Sequence, residues 1–132
     1  MSIYIAGKYT SKERLRTCRD AIRLMGYEVS SSWMDTEYPE TSSPEIMCTE
    51  AKRDILEVAD TDYFILDTLD ESITGGREVE LGVALTIGAS ILHVGPKRNV
   101  FHYLPMVQHF EDWDAVTAHL WERARDNAIH QV

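Results

Sequence analysis

Residues 74–85 read TGGREVELGVAL, a glycine pair followed by two glutamates and an apolar run with helical spacing. The runs on either side, YFILD at 63–67 and SILHVG at 90–95, are short, apolar and β-rich. A helix framed by two such strands is a βαβ unit, and that unit decides the fold class. Within the helix, Gly76, Val79, Glu80, Val83, Ala84 and Ile87 advance by threes and fours and are expected to share one face. Every member except Glu80 is small or apolar. Glu78 lies about 200° round the helix, while Leu81 and Leu85 make a second apolar face. A helix apolar most of the way round is either central or covered by another subunit. The glutamate inside it needs a reason.

Working outward, IYIAG at 3–7 is a first strand ending in glycine. Thr10 and Glu13 have capping-box spacing, and Leu15, Cys18, Ile22 and Met25 then recur as a helix that closes at Gly26. YEVSSSW at 27–33 reads as a second strand, and 34–43, with Pro39, as a polar loop. Ser43 and Pro44 have the form of an N-cap and first turn for a helix through EIMCTEAKRDILEVA, residues 45–59. Pro96 opens an irregular stretch to about Phe110, and a last amphipathic helix covers roughly 112–128, with Trp113, Val116, Leu120 and Ala124 on one side. Alternating strands and helices predict a doubly wound (Rossmann/flavodoxin-like) α/β fold, a mostly parallel sheet of four to five strands in a single domain spanning 1–132. Ligands of such folds collect at the carboxyl ends of the strands. Here that edge comprises Gly7 and Lys8, Trp33 to Asp35, Asp67 to Thr74, and Gly95 onward.

Composition narrows the partners. An apolar share of 44% is that of a globular protein, and a net charge of −9 repels phosphate backbones, so a nucleic-acid polymer is not an expected partner. No run approaches the roughly 20 apolar residues of a membrane span, and MSIYIAGKYT lacks the basic segment and cleavage site of a secretory leader. Cys18 and Cys48 lack CxxC spacing and read as reduced, partly buried thiols used in packing. The histidines show no metal-site spacing, and no cofactor is expected. These features describe a soluble, cytoplasmic protein.

An ionised carboxylate on an apolar face is costly unless donors satisfy it. Glu80 lies in the first turns of its helix, where free N–H groups favour negative charge, and the Gly75–Gly76 pair admits close approach of a ligand. Such an acid suits a nucleophile or general base, and the same spacing suits a glutamate that binds a buried arginine. Substitution at an anomeric carbon commonly uses two acids. Asp54, Asp60, Asp62, Asp67 and Asp70 are the candidates for the second. Asp60 and Asp62 flank the amino end of their strand, the wrong edge, whereas Asp67 and Asp70 are near the right one.

IYIAG at 3–7, RDILEVAD at 53–60 and VELGVAL at 79–85, in this order and approximate spacing, resemble the nucleoside 2-deoxyribosyltransferase-like superfamily. That group includes nucleoside deoxyribosyltransferases and (deoxy)nucleoside 5′-monophosphate N-glycosidases. The similarity covers about residues 3–110, and TGGREVELGVAL followed by VGPKRNVFHYLP is most like its short phage and actinobacterial members. The resemblance implies that Glu80 is the nucleophile, that Tyr4 touches it and the sugar, and that Asp54 protonates the departing base or holds the sugar. Where the transferases often have an aspartate six residues before the nucleophile, this chain has Thr74. The nucleotide-cleaving branch tends to have a serine there against a 5′-phosphate, with Lys8 and Arg77 available here to supply charge. Threonine is equally able to cap the helix.

Gly7, Lys8, Trp33, Thr74, Gly75, Gly76, Arg77, His102 and Tyr103 form the expected substrate-binding set. Trp33 is placed either to stack on a base or to pack at the rim. Phe101, His102 and Tyr103 correspond to the region that reaches a neighbouring subunit's pocket in the family, implying a homodimer or higher oligomer with sites near its interfaces. The implied activity is cleavage of the N-glycosidic bond of a 2′-deoxynucleoside or its 5′-monophosphate, with transfer to another base or to water. Competing readings are the monophosphate N-glycosidase proper, a non-catalytic nucleotide-binding module, and a cytokinin-activating phosphoribohydrolase. The glycine segment of the last, PGGxGTxxE, shares with TGGREVE only the glycine pair and a late acid.

Overall fold

The computed structural model describes residues 1–37, 42–72 and 74–130. Its strands are β1 (Ser2–Ala6), β2 (Glu28–Val29), β3 (Tyr63–Asp67), β4 (Ser90–Val94) and β5 (Val107–Phe110). Its helices are α1 (Lys12–Leu24), α2 (Pro44–Ala59), α3 (Gly76–Ile87) and α4 (Trp113–His130). The strands pair in the order β2-β1-β3-β4-β5, every pair parallel, which is a doubly wound arrangement. The order reverses between β1 and β3, paired from Ile3–Tyr63 to Ala6–Leu66, so the crevice where such sheets bind ligands opens beside those two strands. Right-handed crossovers then put α1 on one face of the sheet and α2 and α3 on the other. The packing agrees: α1 lies against α4, and α2 against α3.

β3 is buried along its whole length and β1 from Ile3 onward, so the apolar runs of the sequence form the core with Leu15, Ile22, Leu92, Val116 and Leu120. Several local expectations hold. Ser43 caps α2, its hydroxyl accepting from Ile46 N at 3.2 Å, with Pro44 in the first turn. Pro39, the proline of the expected loop, lies outside the described residues. No described helix is long and apolar enough to cross a membrane.

Four expectations are corrected. The strand expected over 27–33 is confined to Glu28–Val29, because the Ser31 hydroxyl, not a backbone carbonyl, takes the Ile5 N–H at 3.1 Å, and the chain turns at Trp33–Asp35. The stretch expected to be irregular up to Phe110 holds β5, an edge strand with only Val107 fully buried and therefore without an apolar run to announce it. The Thr10–Glu13 capping box does not form: Tyr9–Ser11 is a 3₁₀ turn, Ser11 is the cap residue, and its hydroxyl goes to Asp70 instead. The inward face of α3 carries Arg77, Leu81 and Ala84, while Val79 and Ile87 are exposed. Of the two cysteines, Cys18 is half-buried and Cys48 is exposed; both are free thiols.

Gly95, just past β4, has φ +114°, and a Cβ there would lie 2.8 Å from Leu69 N and 2.9 Å from the Thr68 carbonyl carbon. Gly82, mid-helix in α3, has nothing within 4 Å of the same position. Gly95→Ala is therefore expected to cost at least about 2 kcal/mol in denaturant unfolding, whereas Gly82→Ala is neutral or stabilising by about 0.5 kcal/mol.

Candidate active site

Alternation along β1 turns Tyr4 toward the α2–α3 face. The ring is fully buried and lies parallel to Phe64 of β3, centroids 5.8 Å apart. Its hydroxyl donates to Oε2 of Glu80, in the second turn of α3. That helix begins at Gly76 after Gly75, whose φ of +78° lets the chain turn sharply out of the β3–α3 loop.

Burial pushes the Glu80 carboxyl up to about 8, with Asp54 and Glu57 adding and the Tyr4 hydrogen bond working the other way. Asp54, in the middle of α2, is raised to about 6, chiefly by burial; Arg53 opposes this and Glu57 adds to it. Burial also drives Tyr4 far above the usual phenol range, with Glu80 and Asp54 next, so the hydroxyl stays protonated as a donor. Burial thus favours the protonated form of both acids, and the Asp54 charge further disfavours ionisation of Glu80.

A cavity of about 290 Å³ lies beside them, lined by Gly7, Tyr9, Trp33, Asp54, Thr74, Gly76, Arg77 and Glu80. A second hollow of about 190 Å³ meets Asp54 and Glu80 from the other side and is lined by Ala51, Ile55, Gly76 and Val79. A larger hollow, about 960 Å³, is at the opposite edge beside Ser2, Glu28 and Asp62, and neither Asp54 nor Glu80 lines it. The site is assigned to the smaller cavities because both displaced acids line them.

The expected residues separate into groups. Glu80, Asp54, Gly7, Trp33, Thr74, Gly76 and Arg77 line one cavity, and Tyr4 reaches it through Glu80. Lys8 and Gly75 are chain neighbours of lining residues and do not line it. Trp33 is held by its indole N–H, which donates to Ile5 O at 2.7 Å. Arg77 spends its guanidinium on the loop, donating to the carbonyls of Asp67 at 2.9 Å and Asp70 at 2.8 Å. His102 is fully buried, accepts from Arg98 N at 3.0 Å and faces Glu78 across 3.0 Å, away from the cavity. Tyr103 and Phe101 are exposed, with the Lys97 ammonium 4.5 Å from the Tyr103 ring centre.

Among the other carboxylates, Asp67 is buried against Arg14 at 2.9 and 3.1 Å and the Trp113 indole N–H at 2.7 Å, and Asp70 accepts from Arg14 and Ser11. Asp62 accepts from Ser2 N at the amino edge. These contacts are architectural. Tyr9 is the lining residue absent from the expected set; its hydroxyl donates to Thr36 O at 2.9 Å. An aromatic two residues past the glycine that ends the first strand was the available signal. Among the described residues no cluster of three or more histidine, cysteine or acidic side chains could hold a metal.

No family model matches the chain, and no curated protein matches it by sequence. Solved structures do. A 2-deoxyribosyltransferase from the psychrotolerant bacterium Bacillus psychrosaccharolyticus superimposes with a TM-score of 0.70 at 22% identity, over 91% of this chain and 96% of that one. The Clostridium botulinum CMP N-glycosidase BcmB superimposes with a TM-score of 0.58 at 19% identity, over 91% and 98%. The chain has their fold.

Because Glu80 sits near 8 in the folded chain against an ordinary 4.5, it opposes folding once the unfolded chain ionises. The penalty is absent below about pH 4.5, grows through the interval and levels off above about pH 8. Glu80→Gln is therefore expected to be more stable than the native chain by about 2 kcal/mol at roughly pH 8 and no more stable near pH 4, measured by denaturant unfolding at both.

Proposed function

We propose that the chain belongs to the nucleoside 2-deoxyribosyltransferase-like superfamily and cleaves the N-glycosidic bond of a 2′-deoxynucleoside or its 5′-monophosphate. The observation that carries this is the Glu80–Tyr4–Asp54 constellation. A carboxyl held by a buried phenol, with a second raised acid beside it, faces a cavity of about 290 Å³ at the carboxyl edge of the sheet. The likeness in fold to a deoxyribosyltransferase and a CMP N-glycosidase supports it.

Glu80, ionised, attacks the anomeric carbon; the carbon–nitrogen bond breaks and Asp54 gives its proton to the departing base. A second base, or water, then displaces Glu80 from the sugar and gives up its proton to the ionised Asp54. Tyr4 orients the carboxylate and favours its ionised form. With Asp54 near 6 and Glu80 near 8, an ionised Glu80 beside a protonated Asp54 is the minor arrangement of the singly protonated pair. The rate consequently follows a bell with limbs near those two values.

Thr74 lines the cavity beside the start of α3, where backbone N–H groups favour an anion. This supports the 5′-monophosphate as substrate, and with it the hydrolase as a second reading. The exposed Val79, Ile55 and Ile87 form a surface for a second copy of the chain, whose Phe101–Tyr103 segment would approach the hollow between α2 and α3.

Incubation with deoxynucleosides and their monophosphates, with and without a second base, followed by chromatography, tests the proposal. Free base or an exchanged nucleoside is expected, and Glu80→Gln should lower the rate by several orders of magnitude, as for removal of other nucleophiles. Tight ligand binding without turnover, unaffected by Glu80→Gln, would instead indicate a non-catalytic nucleotide-binding module.

A further inference from the structure

We propose that Glu57 is a positioning residue for this reaction: its carboxylate clamps the Ser32–Trp33 turn onto α2 and sets the charge around Asp54. The role rests on the glycosidic reading of the Asp54–Glu80 pair. Glu57 follows Asp54 by three residues in α2, so the two carboxyls project from the same side of the helix. One Glu57 oxygen accepts from Ser32 N at 3.1 Å and the other from the Ser32 hydroxyl at 2.7 Å. Ser30 reaches the Glu57 carbonyl at 3.5 Å. The residue after Ser32 is Trp33, whose buried indole is fixed to Ile5 O and forms one wall of the cavity. The wall is thus tied to β1 through the indole and to α2 through Glu57.

The second effect is electrostatic. The charged and titratable groups facing Asp54 are Glu50, Arg53 and Glu57 from α2, Glu80 from α3 and Tyr4 from β1. Arg53 pairs with Glu50 and lies 3.5 Å from an Asp54 oxygen, so the helix brings one cation close to Asp54. Glu57 works against that cation and favours the protonated form of Asp54, the form that can hand a proton to a leaving base. A like charge one turn away is ordinarily unfavourable on a helix. Here it keeps Asp54 protonated often enough to act, while Arg53 works toward ionisation.

Glu57→Gln separates the two effects. The amide keeps both contacts, its oxygen accepting from Ser32 N and its N–H donating to the Ser32 oxygen, while the charge is removed. Carbon-13 NMR of the Asp54 carboxyl should then show its titration moving downward from about 6. In kinetics the lower limb of the pH profile should move the same way, and the plateau kcat should fall about tenfold for each unit of movement, with KM near that of the native chain. Glu57→Ala, which also releases Ser32, should raise KM in addition. A purely structural Glu57 would raise KM and lower the melting temperature in Glu57→Ala alone, and would leave both the Asp54 titration and the pH profile of Glu57→Gln in place, which overturns the proposal. Absence of base release by the native chain removes the reaction itself and is seen before any variant is made. An unmoved Asp54 titration in folded Glu57→Gln removes the role of Glu57 alone.

Discussion

A buried phenol donating to a half-buried carboxyl, Tyr4 to Glu80, is the contact on which the rest of the molecule converges. It joins the middle of β1 to the second turn of α3, elements 76 residues apart in the chain. They meet because β1 and β3 pair in parallel at the reversal of strand order and α3 crosses from β3 on the face that Tyr4 points to. Removing a carboxyl from water disfavours its charge, and this one is pushed up to about 8, the Tyr4 hydroxyl working the other way. A fold keeps such a group only where apolar burial elsewhere offsets the cost, and the fully buried β3 with most of β1 provides that burial. The reactivity proposed for Glu80 and the instability expected of it share this origin.

Around this contact cations tie down the loops, through backbone carbonyls or through carboxylates. Arg77 holds the β3–α3 loop through two carbonyls, Arg98 reaches Thr68 O at 2.7 Å, and Arg14 binds Asp67 and Asp70 at once. His102, wedged between Arg98 N and Glu78, ties the segment after β4 to the first turn of α3. Each of these contacts limits how far the start of α3 can shift, and thereby where Glu80 points. The Arg77 guanidinium lines the cavity against neutral carbonyl partners, so the net charge there varies with the protonation of Asp54 and Glu80.

Much of this was legible from the residues. The apolar runs at 63–67 and 90–95 and the glycines at both ends of α3 announced the βαβ unit, and Ser43–Pro44 announced α2. Periodicity failed where it carries no information. A helix apolar on most sides does not declare which face is inward: Val79, Ala84 and Ile87 are expected together, yet Ala84 is buried with Leu81 while Val79 and Ile87 are exposed. An edge strand with one buried side chain resembles a loop, which hid β5. A mid-helix aspartate reads as solvated until α2 is known to pack on α3, so Asp54 needed a resemblance to stand out and Glu57 went unnoticed. Tyr9 enters the cavity through a 3₁₀ turn at a position where a capping box was expected.

The most direct measurement is mass spectrometry of peptides from protein quenched in acid during turnover of a deoxynucleotide. A nucleophilic Glu80 predicts a deoxypentosyl adduct on the peptide spanning α3, localised by fragmentation to position 80. A deoxypentosyl group carried by any other side chain would contradict it.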